Sequence, residues 1–265
     1  MKEKLKAIER LLNIMDDLRL QCPWDKKQTF ESLRKLTIEE TYELADAIAE
    51  KDYQGIKGEL GDLLLHIVFY AKLGSEIGEF DITDIANAIS DKLIYRHPHI
   101  YGDVNVADAD EVASNWEKLK LKEKKDKKVL DGVPAALPSM VKANRLQEKA
   151  RGVGFDWEVP EQVWDKVNEE LNEVKEEIEI CKKSKNKDKE ALEAEFGDLL
   201  FSVINAARLY GIDPELALER TNKKFIKRFN YLEQETIAKG KSLHDMSLDE
   251  MNEVWERAKK NTFSR

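Results

Sequence analysis

The sequence predicts an all-α fold made of two tandem four-helix-type units. Three observations carry this. Charged residues make up 37% of the chain, with only 12 Gly and 6 Pro in 265 residues, a composition that favours helix over sheet. Apolar residues recur at the helical period in both halves. And a near-identical hexapeptide, ELGDLL at Glu59–Leu64 and EFGDLL at Glu195–Leu200, marks a repeat.

The repeat extends well beyond the hexapeptide. Upstream, EETYE (Glu39, Glu40, Glu43) is matched by EELNE (Glu169, Glu170, Glu173). Further upstream, Trp24-Asp25 loosely parallels Asp156-Trp157. Downstream, Lys92 and Arg96 match Lys224 and Arg228 at the same spacing, and Trp116 parallels Trp255. So many features in one order point to duplication. The expected organisation is an N-terminal unit over 1–120, a linker over 121–138 and a C-terminal unit over 139–265. The linker is marked by the like-charge block KLKLKEKKDKK (Lys118–Lys128) and the Gly- and Pro-containing VLDGVPAALP that follows.

Within each unit the helices follow in order. The first is expected at Glu3–Leu18 and, in the second unit, at Met140–Ala150. Next come the EExxE helices, with Leu44 and Ile48 in one half and Leu171, Val174 and Ile178 in the other. The hexapeptide helices carry an apolar stripe: Leu60, Leu63, Leu64, Ile67, Val68 and Ala71 in one, and Phe196, Leu199, Leu200, Val203, Ile204 and Ala207 in the other. This is the spacing of one buried helix face. A fourth helix is expected at Ile85–Leu93 and at Leu216–Phe229. In the latter, Asp213 is placed to cap and Pro214 to sit in the first turn. No segment alternates as a half-buried strand does.

Charge and composition exclude several functions. A formal charge of −9 opposes binding to nucleic acid or an anionic membrane. No apolar run is long enough to span a bilayer. The N-terminus reads as an amphipathic helix rather than a secretory signal. Two cysteines, Cys22 and Cys181, form no CxxC and suit a reducing compartment, so the cytoplasm is expected. There is no GxxxxGK[ST], GxSxG or HExxH, and no ExxH pair for a di-iron bundle.

The acids carry the chemistry. Successive helix residues lie about 100° apart around the axis, so Glu39, Glu40 and Glu43 share one quadrant. Glu59 and Asp62 are one turn apart beside the apolar stripe. An antiparallel hairpin would let up to five of these carboxylates converge, and Glu169, Glu170, Glu173, Glu195 and Asp198 repeat the pattern. Such a cluster must protonate or bind cations. Oxygen ligands select hard ions, with Mg²⁺ first and Mn²⁺ as a substitute. Lys92 with Arg96, or Lys224 with Arg228, then suit phosphates. An acid pair alone is commonplace on a solvated helix face; the duplicated set, in register with two apolar stripes, is not. Gly61 and Gly197 cost about 1 kcal/mol each against Ala in a helix interior, which points to close helix approach or crowding at a metal site. His66 is expected to be a satisfied core histidine, and His97 and His99, flanking Pro98, a structural turn.

These motifs, with CPWDKKQTFESL, RHPHIYGD, RGVGFDW and NKKFIKRF, resemble the MazG nucleoside triphosphate pyrophosphohydrolases over essentially the whole chain. The resemblance implies the all-α NTP pyrophosphatase fold, usually a homodimer. It also implies Mg²⁺-dependent cleavage of NTPs between the α and β phosphates, to monophosphate and pyrophosphate, by a metal-activated water in a nucleotide-pool house-cleaning role. Residue by residue, Glu170, Glu173, Glu195 and Asp198 match the metal ligands, as do Glu40, Glu43, Glu59 and Asp62 in the first half. Lys166, Lys224, Arg228 and Trp255 match nucleotide contacts, with Lys92, Arg96 and Trp116 their first-half equivalents. Glu169 and Glu39 are candidate general bases. One departure stands out: Leu36 replaces Lys166 in the first half. This counts against nucleotide binding in the first half, and the resemblance itself implies that the second half is the active one. The alternatives are a helical interaction module without catalysis and a metal-dependent hydrolase of other phosphate esters.

Overall fold

The computed structural model describes residues 1–108, 111, 112, 115, 116, 119, 128–183, 189–238 and 240–262. Of the charged block 118–128, all but Leu119 and Lys128 lie outside these residues. The chain divides into two compact units, Met1–Trp116 and Glu117–Arg265. Among the described residues all regular structure is helical.

In the first unit α1 (Lys2–Gln21) precedes a hairpin of α2 (Phe30–Glu50) and α3 (Tyr53–Glu76), followed by α4 (Ile82–Arg96) and the short α5 (Pro98–Tyr101). Local chemistry sets the boundaries. Thr29 and Ser32 form a capping box at the start of α2, each backbone N–H donating to the other's hydroxyl, at 2.9 and 3.2 Å respectively. Lys51 ends α2 in the left-handed region (φ 58°), and Asp52 caps α3 through the Gln54 N–H at 3.1 Å. Asp81 and Asp84 cap α4 reciprocally. Pro98 then breaks the helix, and the His97 ring nitrogen Nδ1 lies 2.6 Å from the Leu93 carbonyl oxygen. This is the structural turn expected of His97 and His99.

The second unit repeats the plan. It has α6 (Ser139–Arg151), a hairpin of α7 (Val163–Lys183) and α8 (Glu190–Leu209), then α9 (Pro214–Ala238) and α10 (Leu248–Thr262). The Leu216 N–H donates to Asp213 Oδ1 at 3.0 Å, the cap expected from DPEL.

The first-unit core joins Met15, Leu33, Val68, Phe69 and Leu73, with Phe30, Leu36, Leu65 and Tyr70 packed on it. Phe30 stacks on Tyr70 at 5.8 Å between ring centres, and the Tyr70 hydroxyl lies 2.9 Å from Thr37 Oγ1. Leu33→Ala is expected to cost about 2–5 kcal/mol, whereas exposed Leu5→Ala costs under about 0.5 kcal/mol. Urea midpoints at constant m-value check this, and equal costs would overturn the core assignment.

Three expectations need correction. The apolar stripe is not one buried face. Val68 and Ala71 are buried, but Leu60 (51% exposed), Leu64 and Ile67 face outward. The reason is that α3 carries apolar residues around more than one face. Leu65, Phe69 and Leu73 take the core side, and the hexapeptide leucines are left over. The same holds in α8, where Leu200 is 58% exposed while Ile204 and Ala206 are buried. Nor do Gly61 and Gly197 permit a close approach within the chain, because a Cβ at either position would meet nothing within 4 Å. Finally, His66 is buried as expected but not satisfied: its Nδ1 has no hydrogen-bond partner, and burial lowers its pKa against the pull of Asp62.

Candidate active site

The two hairpins do what the acid spacing requires. α2 and α3 bring carboxylate oxygens of Glu40, Glu43 and Glu59 within 4.8 Å of one another, and α7 and α8 do the same for Glu170, Glu173 and Glu195. In the first cluster Glu40 is pushed above the ordinary carboxylate range, first by burial, then by the charges of Glu43, Asp62 and Glu59. In the second, Glu173 is raised, first by its hydrogen bond with Glu170, then by burial and by repulsion from Glu170 and Glu195. Crowded oxygen donors that strain to hold protons are the donor set of a hard divalent cation, so both clusters fit one.

Asp62 and Asp198 stand outside these triads and are exposed, although the charge of Asp62 reaches Glu40. Glu39 and Glu169 are exposed on the same helices. Lys166, one turn before the second EExxE, binds Glu170 at 2.7 Å and Glu169 at 2.9 Å. Both carboxylates raise its pKa, the Glu170 hydrogen bond most. Among the described residues, no lysine or arginine pairs with Glu40, Glu43 or Glu59. Leu36, in the place of Lys166, packs on the core instead.

The remaining candidates lie on the later helices. Lys92 is exposed on α4. Arg96 is buried, its guanidinium 5.5 Å from the Trp116 ring centre, and His97 packs edge-on to the same ring at 4.9 Å. On α9, Lys224 is exposed and Arg228 half-buried. Trp255 on α10 packs against Phe225 at 5.1 Å.

The second unit also holds a cavity of about 750 Å³, within the size range of small-molecule sites. Lys166, Glu170 and Asp198 line one side of it; Lys224, Arg228 and Trp255 are not in its lining. The rest of the wall was not singled out from the sequence as a site. Phe155, Trp157 and Phe201 supply aromatic surface. Arg208 donates to Asp156 Oδ2 at 3.0 Å and to Asn205 Oδ1 at 2.8 and 3.0 Å. Burial opposes the charge on Asp156, but the hydrogen bonds from Arg208 and Trp157 and the charges of Arg208 and Arg151 hold it below the ordinary range. Gln147 donates to the Phe201 carbonyl oxygen at 2.9 Å, and its buried Oε1 has no partner. The signal in the sequence is a polar residue at a core-facing position. Counted from the two hexapeptides, Asn205 stands where the first half has Phe69 and Ser202 where it has His66.

Comparison with known proteins gives the family. A family model of the MazG nucleotide pyrophosphohydrolase domain matches twice, over residues 28–101 and 159–232. The chain belongs to the MazG family. The two MazG matches enclose both acid clusters, Lys166 and the basic pairs Lys92/Arg96 and Lys224/Arg228. Gln147, Asp156 and Trp157 precede the second match. A nucleoside triphosphate pyrophosphohydrolase of Escherichia coli (strain K12) is 43% identical over 262 residues, covering 97% of this chain and 98% of that protein. The nucleoside triphosphate pyrophosphohydrolase/pyrophosphatase MazG of Thermotoga maritima is 42% identical over 263 residues, with 98% of each chain covered. YabN of Bacillus subtilis (strain 168), an uncharacterized protein, is 46% identical over 240 residues, 90% of this chain and 48% of its own length.

Proposed function

We propose that this MazG chain is a nucleoside triphosphate pyrophosphohydrolase that works chiefly through its second unit and guards the nucleotide pool. The observation that carries the reading is the junction of a three-carboxylate cluster, Lys166 and a cavity of about 750 Å³ in that unit. The metal, Mg²⁺ or Mn²⁺ in its place, is assigned to Glu170, Glu173, Glu195 and Asp198, with Glu40, Glu43, Glu59 and Asp62 as the first-unit counterpart. A bound divalent cation neutralises phosphate charge and acidifies a nearby water.

The chain's own residues do the rest. The aromatic wall of the cavity takes the nucleoside. Lys166, Lys224 and Arg228 hold phosphate charge, and Trp255 adds apolar contact. Glu169 Oε1 accepts a proton from the water that attacks the α-phosphorus. As that bond forms, the α–β bridging bond breaks, and the pyrophosphate leaves with its charge held by Lys224 and Arg228. In the first unit Phe69, the counterpart of Asn205, is packed into the core with Met15, Leu33, Val68 and Leu73, and Leu36 stands in place of the lysine. The reading of a helical module without catalysis therefore suits the first unit alone.

We also assign a homodimer. Each unit leaves an apolar helix face uncovered: Leu60, Leu64 and Ile67 in one, and Phe196, Leu200 and Val203 in the other. Such patches mark interaction surfaces, and Gly61 and Gly197 within them leave room for a partner helix. No helix of the described residues is long and apolar enough to cross a membrane. The two free cysteines suit the cytoplasm.

The test is incubation with Mg²⁺ and an NTP panel, with products read by ³¹P NMR. Monophosphate and pyrophosphate support the reading; diphosphate and orthophosphate contradict it. A second expectation concerns pH. Carboxylates raised in the fold favour the native state at low pH, and that advantage fades as pH rises through their raised values. Cation binding needs them ionised, so the increase in Tm produced by Mg²⁺ should be full near pH 8. It should shrink as pH falls, beginning above the ordinary Glu value of 4.5. An increase that survives unchanged at pH 4.5 would contradict this.

A further inference from the structure

The two acid clusters differ in their counter-ion. In the second unit the Lys166 ammonium sits 2.7 Å from Glu170 and 2.9 Å from Glu169. Glu170 is only 5% exposed and is also one of the three converging carboxylates. The buried member of the cluster is thus already neutralised by a cation from its own helix. In the first unit Leu36 holds the equivalent position on the core, and among the described residues the carboxylates face one another without such a partner. The two clusters present the same acid types in the same order, so the difference lies in the lysine.

From this we propose that Lys166 is an exchangeable internal counter-ion that makes divalent-cation binding in the second unit depend on the nucleotide. Without nucleotide, a divalent cation must displace the ammonium from Glu170 or accept a like charge beside it, and either weakens binding. A triphosphate changes the balance. Its oxygens draw the flexible ammonium away and leave Glu170 free for the metal. The first unit has no such coupling and takes up the cation alone. Metal and triphosphate therefore enter the second unit together, and by linkage each tightens the other. Release of Lys166 also breaks its 2.9 Å contact with Glu169, so the swap readies the site only when substrate is present. The inference rests on the pyrophosphohydrolase reading above and extends it to the regulation of the same site.

Mn²⁺ binding to the full chain, read by the electron paramagnetic resonance of free Mn²⁺, tests it without turnover. A Glu43→Ala background silences the first cluster, and an α,β-methylene triphosphate analogue serves as the nucleotide. With Lys166 present, Mn²⁺ should bind weakly alone and about 10–100-fold more tightly with the analogue. Lys166→Met should tighten binding without analogue by about 10-fold or more and abolish most of the analogue's effect. The reciprocal change, Leu36→Lys in a Glu173→Ala background, should weaken the first cluster by a similar factor. That second variant keeps the inference falsifiable should Lys166→Met not fold. Unchanged or weaker Mn²⁺ binding in Lys166→Met, or an unaffected first cluster in Leu36→Lys, overturns the inference and leaves the enzyme reading standing. No Mn²⁺ bound in the Glu43→Ala background even with the analogue would overturn the metal assignment itself.

Discussion

Glu173→Ala is expected to lower NTP turnover by about 10²–10³-fold, the scale seen when one preorganised charge-stabilising group is lost, while Glu43→Ala leaves most of the activity in place. The two residues hold the same place in the two EExxE helices, and each belongs to a three-carboxylate cluster. They differ in what lies beside them: Lys166 and the large cavity in the second unit, Leu36 and a filled core in the first. Both side chains are exposed, so neither substitution opens a core. Removing Glu173 also relieves repulsion from Glu170 and Glu195. Because the side chain is exposed, the variant's Tm without metal should hold, which separates lost chemistry from lost fold. Steady-state rates of the two variants at saturating Mg²⁺ and NTP make the measurement. Equal losses would mean that both units work; a loss confined to Glu43→Ala would reverse the assignment.

The second large effect is expected from building the first unit's side chains into the second. Ser202→His with Asn205→Phe places the counterparts of His66 and Phe69 on the wall of the cavity. Intruding side-chain volume in a binding pocket is worth one to three kcal/mol or more, so KM for NTP should rise by about 10–100-fold. The carboxylates and Lys166 are untouched, so kcat should change much less, the mark of lost binding rather than lost transition-state stabilisation. Asn205→Phe removes the two hydrogen bonds from Arg208 to Asn205 but not the 3.0 Å bond from Arg208 to Asp156. An unchanged KM would move the nucleoside out of this cavity.

The acid clusters were readable in the sequence because they rest on local geometry. One turn separates Glu40 from Glu43 and Glu170 from Glu173, and a hairpin does the rest. The start of α9 was readable for the same reason, since Asp213 caps it where DPEL places it, whereas its far end lies at Ala238, well beyond the expected Phe229. Two features were not. The period of α3 gives the spacing of an apolar face but not its direction. Leu60, Leu64 and Ile67 satisfy it as well as the residues that reach the core, and only packing against α1 and α2 decides between them. The cavity is a deficit of side-chain volume, and no motif spells a deficit. Its traces are single residues, Asn205 in the place of Phe69 and Gln147 buried with an unpaired Oε1. Gly61 and Gly197 fall between these cases. The close helix approach expected of them is absent, because the space beside each is open.

The central claim is that water attacks the α-phosphorus and pyrophosphate leaves. Turnover of an NTP in H₂¹⁸O, with Mg²⁺ and mass analysis of both products, tests it most directly. The account predicts one ¹⁸O in the monophosphate and none in the pyrophosphate; label in the pyrophosphate would contradict it.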